Sequence, residues 1–90
     1  MKTYRQFLGE ISDHCRDDSE MVVLNEVLAR PMWAKAAAVV IQLKINSTRQ
    51  RVRAARTVDE RLGLISDMIN LTAGLTTIAI ATNLRLKSKL

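Results

Sequence analysis

Ninety residues with a formal net charge of +5 make one small basic domain, and a domain of this size buries only a modest core. Nearly half of the residues are apolar, yet Tyr4, Phe7 and Trp33 are the only aromatics, Pro31 is the sole proline, and Gly9, Gly63 and Gly74 are the only glycines. A core of Leu, Ile, Val, Met and Ala with so few turn formers excludes a sheet of short strands and predicts an all-α fold, a small helical bundle or a hairpin of long helices.

In chain order, Tyr4, Phe7, Leu8 and Ile11 recur at three- and four-residue spacing and place one apolar stripe on a short helix. Residues 12–20 are polar and read as a loop, with Asp18 or Ser19 able to cap a helix over residues 21–28. Pro31 fits the first turn of the next helix, where its missing N–H costs nothing. Residues 32–45 then run apolar on most faces, interrupted by Lys35, Gln42 and Lys44. Two capping boxes follow. Ser47 with Gln50 is the weaker; Thr57 with Glu60 is the stronger because Asp59 also favours the positive end of a helix, and it predicts a boundary at Thr57.

From Val58 to about Leu86 only Gly63 and Gly74 disturb the pattern, which predicts one helix about 43 Å long. On it Leu64, Met68, Leu71, Leu75 and Ile78 form a seam with Ile65, Ile69 and Ile80 beside it, while Ser66, Asn70, Gly74, Thr77 and Ala81 form a small-residue face. A helix with so little charge between Asp67 and Arg85 must be covered nearly all round. One chain of this length is too short to do so alone, which predicts a homo-oligomer held through Leu64, Met68, Leu71, Gly74, Leu75 and Ile78. Residues 65–84 are also long enough for a membrane span, with Arg85, Lys87 and Lys89 marking a cytoplasmic end. Against a span stand Asp67, Asn70, Asn83 and several hydroxyl side chains, and an overall hydropathy near zero favours a packed bundle helix.

Charge is polarised along the chain. Residues 1–30 carry −2 and residues 31–90 carry +7, so the second half is suited to an acidic partner or to the chain's own acidic end. The lone Cys15 excludes an internal disulfide and reads as a buried or idle thiol, and no signal-peptide pattern is visible. His14 and Cys15 beside Asp13, Asp17 and Asp18 lack the further ligands of a zinc site and the glycine of a calcium loop. With one histidine, no nucleophile motif and no Gly-rich phosphate cradle, the expectation is a protein without catalytic residues, cofactor or metal.

Arg49, Arg53 and Arg56 fall at i, i+4 and i+7, flanked by Arg51, and predict a shared basic helix face. Guanidinium groups donate paired, planar hydrogen bonds that suit phosphate oxygens, and with no aromatic among them they predict sequence-independent nucleic-acid contact. The competing expectation is ion pairing with Asp13, Asp17, Asp18 and Glu20 of the same or a neighbouring chain.

The block Met1-Lys2-Thr3-Tyr4 followed by Phe7, Leu8, Gly9 and Glu10 resembles the capsid-targeting peptide of the internal head proteins of T-even-type bacteriophages. That resemblance implies a targeting helix presenting Tyr4, Phe7 and Leu8 to the prohead core. It also implies a prohead protease that reads Leu8-Gly9-Glu10 and cuts before Ile11, dividing the chain into a propeptide-like segment 1–10 and a helical domain 11–90. The function implied is a protein packaged with DNA in the head interior and delivered to the host cytoplasm, acting by binding, either as an inhibitor of a host-defence protein or as a DNA-associated factor. A structural virion or prohead-core component is the alternative, and a small phage membrane protein a minor one.

Overall fold

The computed structural model describes residues 2–88, with side chains to residue 84; the basic tail invoked for a membrane span lies outside the described side chains. The described residues form four α-helices: α1 (Tyr4–Arg16), α2 (Glu20–Ala29), α3 (Ala34–Ala54) and α4 (Val58–Ser88), with a 3₁₀ turn at Pro31–Trp33 leading into α3. This is the expected all-α bundle.

Helix α1 starts at a capping box: the Gln6 N–H donates to Thr3 Oγ1 at 3.1 Å and the Thr3 N–H donates to Gln6 Oε1 at 3.0 Å. It runs to Arg16, through residues expected to be loop. Phe7, Ile11 and Cys15 continue one four-residue stripe into the core, and Ser12, fully buried, satisfies its hydroxyl by donating back to the Leu8 carbonyl. The helix stops in a Schellman turn, with the Ser19 N–H on the His14 carbonyl and the Asp18 N–H on the Cys15 carbonyl. Asp18 takes the left-handed position at φ 57°, where a short polar side chain is tolerated. Ser19 occupies the N-cap position of α2 without a side-chain capping bond.

Pro31 opens the 3₁₀ turn as its fixed φ suggests. Helix α3 then continues past Ser47 to Ala54, so the Ser47/Gln50 pair caps nothing. Thr48 is buried with its hydroxyl on the Lys44 carbonyl, and Arg49, Gln50, Arg51 and Arg53 are good helix formers that give the chain no reason to stop. The break comes at Ala55, whose backbone is extended at ψ 137°. At Thr57 the expected boundary is present: the Glu60 N–H donates to Thr57 Oγ1 at 3.1 Å, while the Glu60 carboxylate reaches one residue further back to the Arg56 N–H at 3.4 Å.

Helix α4 is the spine and touches the other three, α3 most extensively. Its 31 residues span about 46 Å, close to the 49 Å long dimension of the molecule. Leu64, Leu71 and Ile78 bury one face, joined in the core by Val23, Val27, Ala37 and Ile41. Gly74 is where α1 crosses: a Cβ there would overlap Cys15 Sγ. Nearby the Asn70 side-chain amide donates to the Arg16 carbonyl at 2.8 Å. The small-residue face of α4 therefore receives α1 from the same chain. Burial at this crossing pushes the Cys15 thiol up to about 11.

Candidate nucleic-acid interface

The Asn70–Arg16 bond places the C-terminal end of α1 beside Asn70 of α4. Beyond that level, towards the N-terminus of α4, the α3–α4 hairpin extends as a two-helix arm. Every residue from 56 to 63 is exposed, and Thr48, Ala55 and Leu64 supply its buried interior, with Val52 half-buried. The arm, residues 46–66, carries five arginines against Asp59 and Glu60, a formal charge of +3.

Arg49, Arg51, Arg53 and Arg56 are all exposed, and among the described residues none of them forms an ion pair. The predicted intramolecular pairing with Asp13, Asp17, Asp18 and Glu20 is therefore absent in this chain. Those acids lie around the α1–α2 turn, back from the arm tip. The basic patch differs in shape from the single helix face expected. Arg49 and Arg53 share a helix face, but Arg56 lies past the extended Ala55 and Arg51 points away from that face by helical periodicity. The arginines form a collar around the tip rather than a stripe along one face. Arg61 closes the turn, its guanidinium donating to the Ala55 carbonyl at 3.2 Å, one of the orphan acceptors at the end of α3.

Of the targeting and cleavage residues expected at the amino terminus, Phe7, Leu8 and Ile11 are built into the core, whereas Tyr4, Gly9 and Glu10 stay exposed. Phe7 is fully buried, its ring centroid 5.1 Å from that of Trp33, and Tyr4 meets the same indole edge-on at 5.4 Å. Leu8 packs on the core, Gly9 is exposed, and Ile11 is fully buried. Glu10 is held by Lys2, which also donates to Glu26 at 3.0 Å, and Glu26 in turn accepts from Arg30 at 2.9 Å. Helix α1 thus runs unbroken across the expected boundary between residues 10 and 11, because both sides of it contribute to one buried stripe. Trp33, the residue against which that stripe is anchored, had no role in the sequence reading.

This ion-pair chain sets a pH response. The hydrogen bond from Lys2 holds the Glu10 carboxyl below its ordinary range and, with that to Glu26, raises the Lys2 ammonium above its own. A lowered carboxylate stabilises the fold above its unfolded pKa and ceases to as pH falls through the folded value; a raised lysine stabilises below its unfolded pKa and ceases to as pH rises through the folded one. The pairs are partly open to solvent, so screening keeps the effect small. Thermal melts of wild type and Glu10→Gln should differ at neutral pH and converge in acid below the carboxylate range; a difference independent of pH contradicts the pairing.

The predicted self-association seam is also reassigned. Leu64, Leu71, Gly74 and Ile78 are buried within the chain, and Met68 and Leu75 are partly buried, Leu75 against the core. The three shorter helices cover this face of α4 and leave the opposite one in water, where Val58, Leu62, Ile65, Ile69, Ile80 and Leu84 are exposed. An open groove of about 260 Å³ runs between the start of α3 and the end of α4, lined by Lys35, Ala38, Leu75, Ala79 and Asn83. Among the described residues no three His, Cys, Asp or Glu side chains converge as metal ligands. No family model matches the chain, and neither a curated protein nor a solved structure matches it.

Proposed function

We propose that the protein acts by binding nucleic-acid phosphates through its arginine-collared arm, as a DNA-associated component of a phage head. The observation that carries the phosphate reading is the arm itself: four exposed arginines without ion-pair partners among the described residues, held at the end of the α3–α4 hairpin. Guanidinium groups placed this way release condensed counterions when they meet a polyanion, which supplies affinity without reading sequence. The setting rests on the amino-terminal resemblance to T-even-type internal head proteins.

Within that setting, burial of Phe7 and Ile11 favours a form that keeps residues 1–10, which suits a structural or DNA-associated virion component better than a processed protein delivered to the host. Binding to duplex DNA should weaken steeply with salt, and Arg53→Ala should lower the logarithmic salt slope by about 1 and weaken all duplex sequences alike. Affinity that discriminates among sequences, or a slope unchanged by Arg53→Ala, counts against this role for the arm.

A second reading has one observation of its own: Val58–Leu84 is long and apolar enough to cross a bilayer. In this fold the same helix buries one face against α1, α2 and α3 and spends Asn70 on the end of α1, which makes it a bundle helix with one side left open.

A further inference from the structure

The open side of α4 has a regular pattern. Val58, Leu62, Ile65 and Ile69 alternate steps of four and three residues, and Thr72, Thr76, Ala79 and Asn83 continue the same spacing; all eight are exposed. This is a coiled-coil seam on the side opposite the intramolecular one, and its large apolar half runs along the arm and one turn past it to Ile69.

We infer that the arm pairs with the arm of a second copy, antiparallel, through Val58, Leu62, Ile65 and Ile69. Antiparallel pairing about a two-fold axis between residues 63 and 64 sets Leu62 against Ile65 of the second copy and Val58 against Ile69. Each large apolar side chain then meets another, and the contact is self-complementary as an isologous interface must be.

Two physical arguments favour this occupant and this direction. The four side chains, 71, 59, 38 and 63% exposed, leave on the order of 400 Å² of apolar surface in water per copy. With their flanking residues, two such faces bury a total of about 1,000 Å², the lower limit for a specific interface, which implies a dimer in the micromolar range rather than a permanent one. Charge sets the direction. Parallel pairing stacks two +3 tips on each other. The antiparallel register instead separates residue 56 of one copy from residue 56 of the other by about 22 Å along the axis, nearly three times the screening length of about 8 Å at physiological salt.

This inference does not depend on the phosphate-binding reading, and its test separates the two. Sedimentation equilibrium of the full chain should give a monomer–dimer equilibrium at micromolar concentration. Leu62→Glu/Ile65→Glu should raise the dimer dissociation constant by about a hundredfold or more while leaving the helical circular dichroism in place, since the substitutions bring charges into a contact that buries none and touch an exposed face. In a Cys15→Ala background, Val58→Cys and Ile69→Cys chains mixed and mildly oxidised should form the mixed disulfide. Val58→Cys alone should form little, because the register places its two copies about 16 Å apart, beyond disulfide reach.

A wild-type monomer throughout the micromolar range overturns the inference, as does a dimer indifferent to Leu62→Glu/Ile65→Glu. Efficient disulfide formation by Val58→Cys alone overturns the direction, and a monomer that inserts its α4 face into anionic phospholipid vesicles assigns the face to lipid instead. A dimer that ignores duplex DNA retires the phosphate reading and leaves the pairing standing. A monomer that binds duplex DNA does the reverse.

Discussion

A chain that begins at Ile11 should not fold stably. Removing residues 1–10 deletes Phe7, fully buried against Trp33, together with Leu8, Tyr4, the Thr3 cap and the Lys2 link to α2. Phe7→Ala alone should cost about 3–5 kcal/mol, against a total stability of about 5–13 kcal/mol for a domain of this length. The truncated chain loses several such contacts at once, so its melting transition should broaden or vanish by circular dichroism. Cys15 offers an independent readout, because its buried, protonated thiol should react slowly with iodoacetamide in the full chain and quickly in the truncated one. The same packing governs proteolysis. With Glu10 held by Lys2 and Ile11 in the core, a protease that needs the Leu8–Ile11 segment extended must wait for α1 to open, and cutting should follow the population of opened protein. Coexpression with a prohead protease therefore tests the order of events: a product starting at Ile11 arises if cutting precedes folding, whereas purified folded protein should resist. A stable, cooperatively melting 11–90 chain contradicts the place given to α1 in this fold.

Gly74→Ala should be markedly destabilising although alanine is the better helix former. A methyl there overlaps Cys15 Sγ and crowds its Cβ, and overfilling a close-packed crossing costs about 1–3 kcal/mol. Gly63 serves as the control on the same helix. Nothing lies within 4 Å of its added Cβ, so Gly63→Ala should gain up to about 1 kcal/mol from helix propensity. The opposite signs separate a steric role at Gly74 from a general cost of altering α4. Trimming the opposing side chain tests the contact itself, since Gly74→Ala made in a Cys15→Ala background should cost less by about 1 kcal/mol, a coupling expected only for touching residues. Urea melts of the four proteins measure this. A Gly74→Ala variant as stable as Gly63→Ala places α1 elsewhere.

Much of the architecture was legible because apolar spacing and caps agree with it. Pro31 opening a turn, Thr57 starting α4, and α4 running on through Gly63 and Gly74 follow from local rules that tertiary structure leaves in place. Residues 12–16 misled because composition outweighed spacing: Asp13, His14 and Arg16 look like loop, yet Cys15 continues the four-residue stripe of Phe7 and Ile11. The Thr3/Gln6 capping box is a signal in the sequence for the start of α1. At Ser47 a capping box in the letters was overridden by a helix with no reason to end before Ala55. The arginine spacing implied a common face only on the assumption that the helix continues to Arg56, and the extended Ala55 removes that assumption. For α4 the limit is more general. A helix apolar on both sides needs two coverings, but spacing alone does not say which side its own chain covers. Gly74 and Asn70 settle it, one by admitting Cys15 and the other by holding the end of α1.

The proposed binding of polyanionic backbone by the arginine collar of the arm is tested most directly by titration of labelled duplex DNA at two salt concentrations with wild type and an Arg49→Ala/Arg53→Ala/Arg56→Ala protein. All three side chains are exposed, so the fold should survive their loss. Wild-type affinity should be highest at low salt and fall with a logarithmic slope of about 0.9 per phosphate engaged, and the triple variant should lose most of both the affinity and the slope. Wild-type binding at low salt no tighter than that of the triple variant would contradict the proposal.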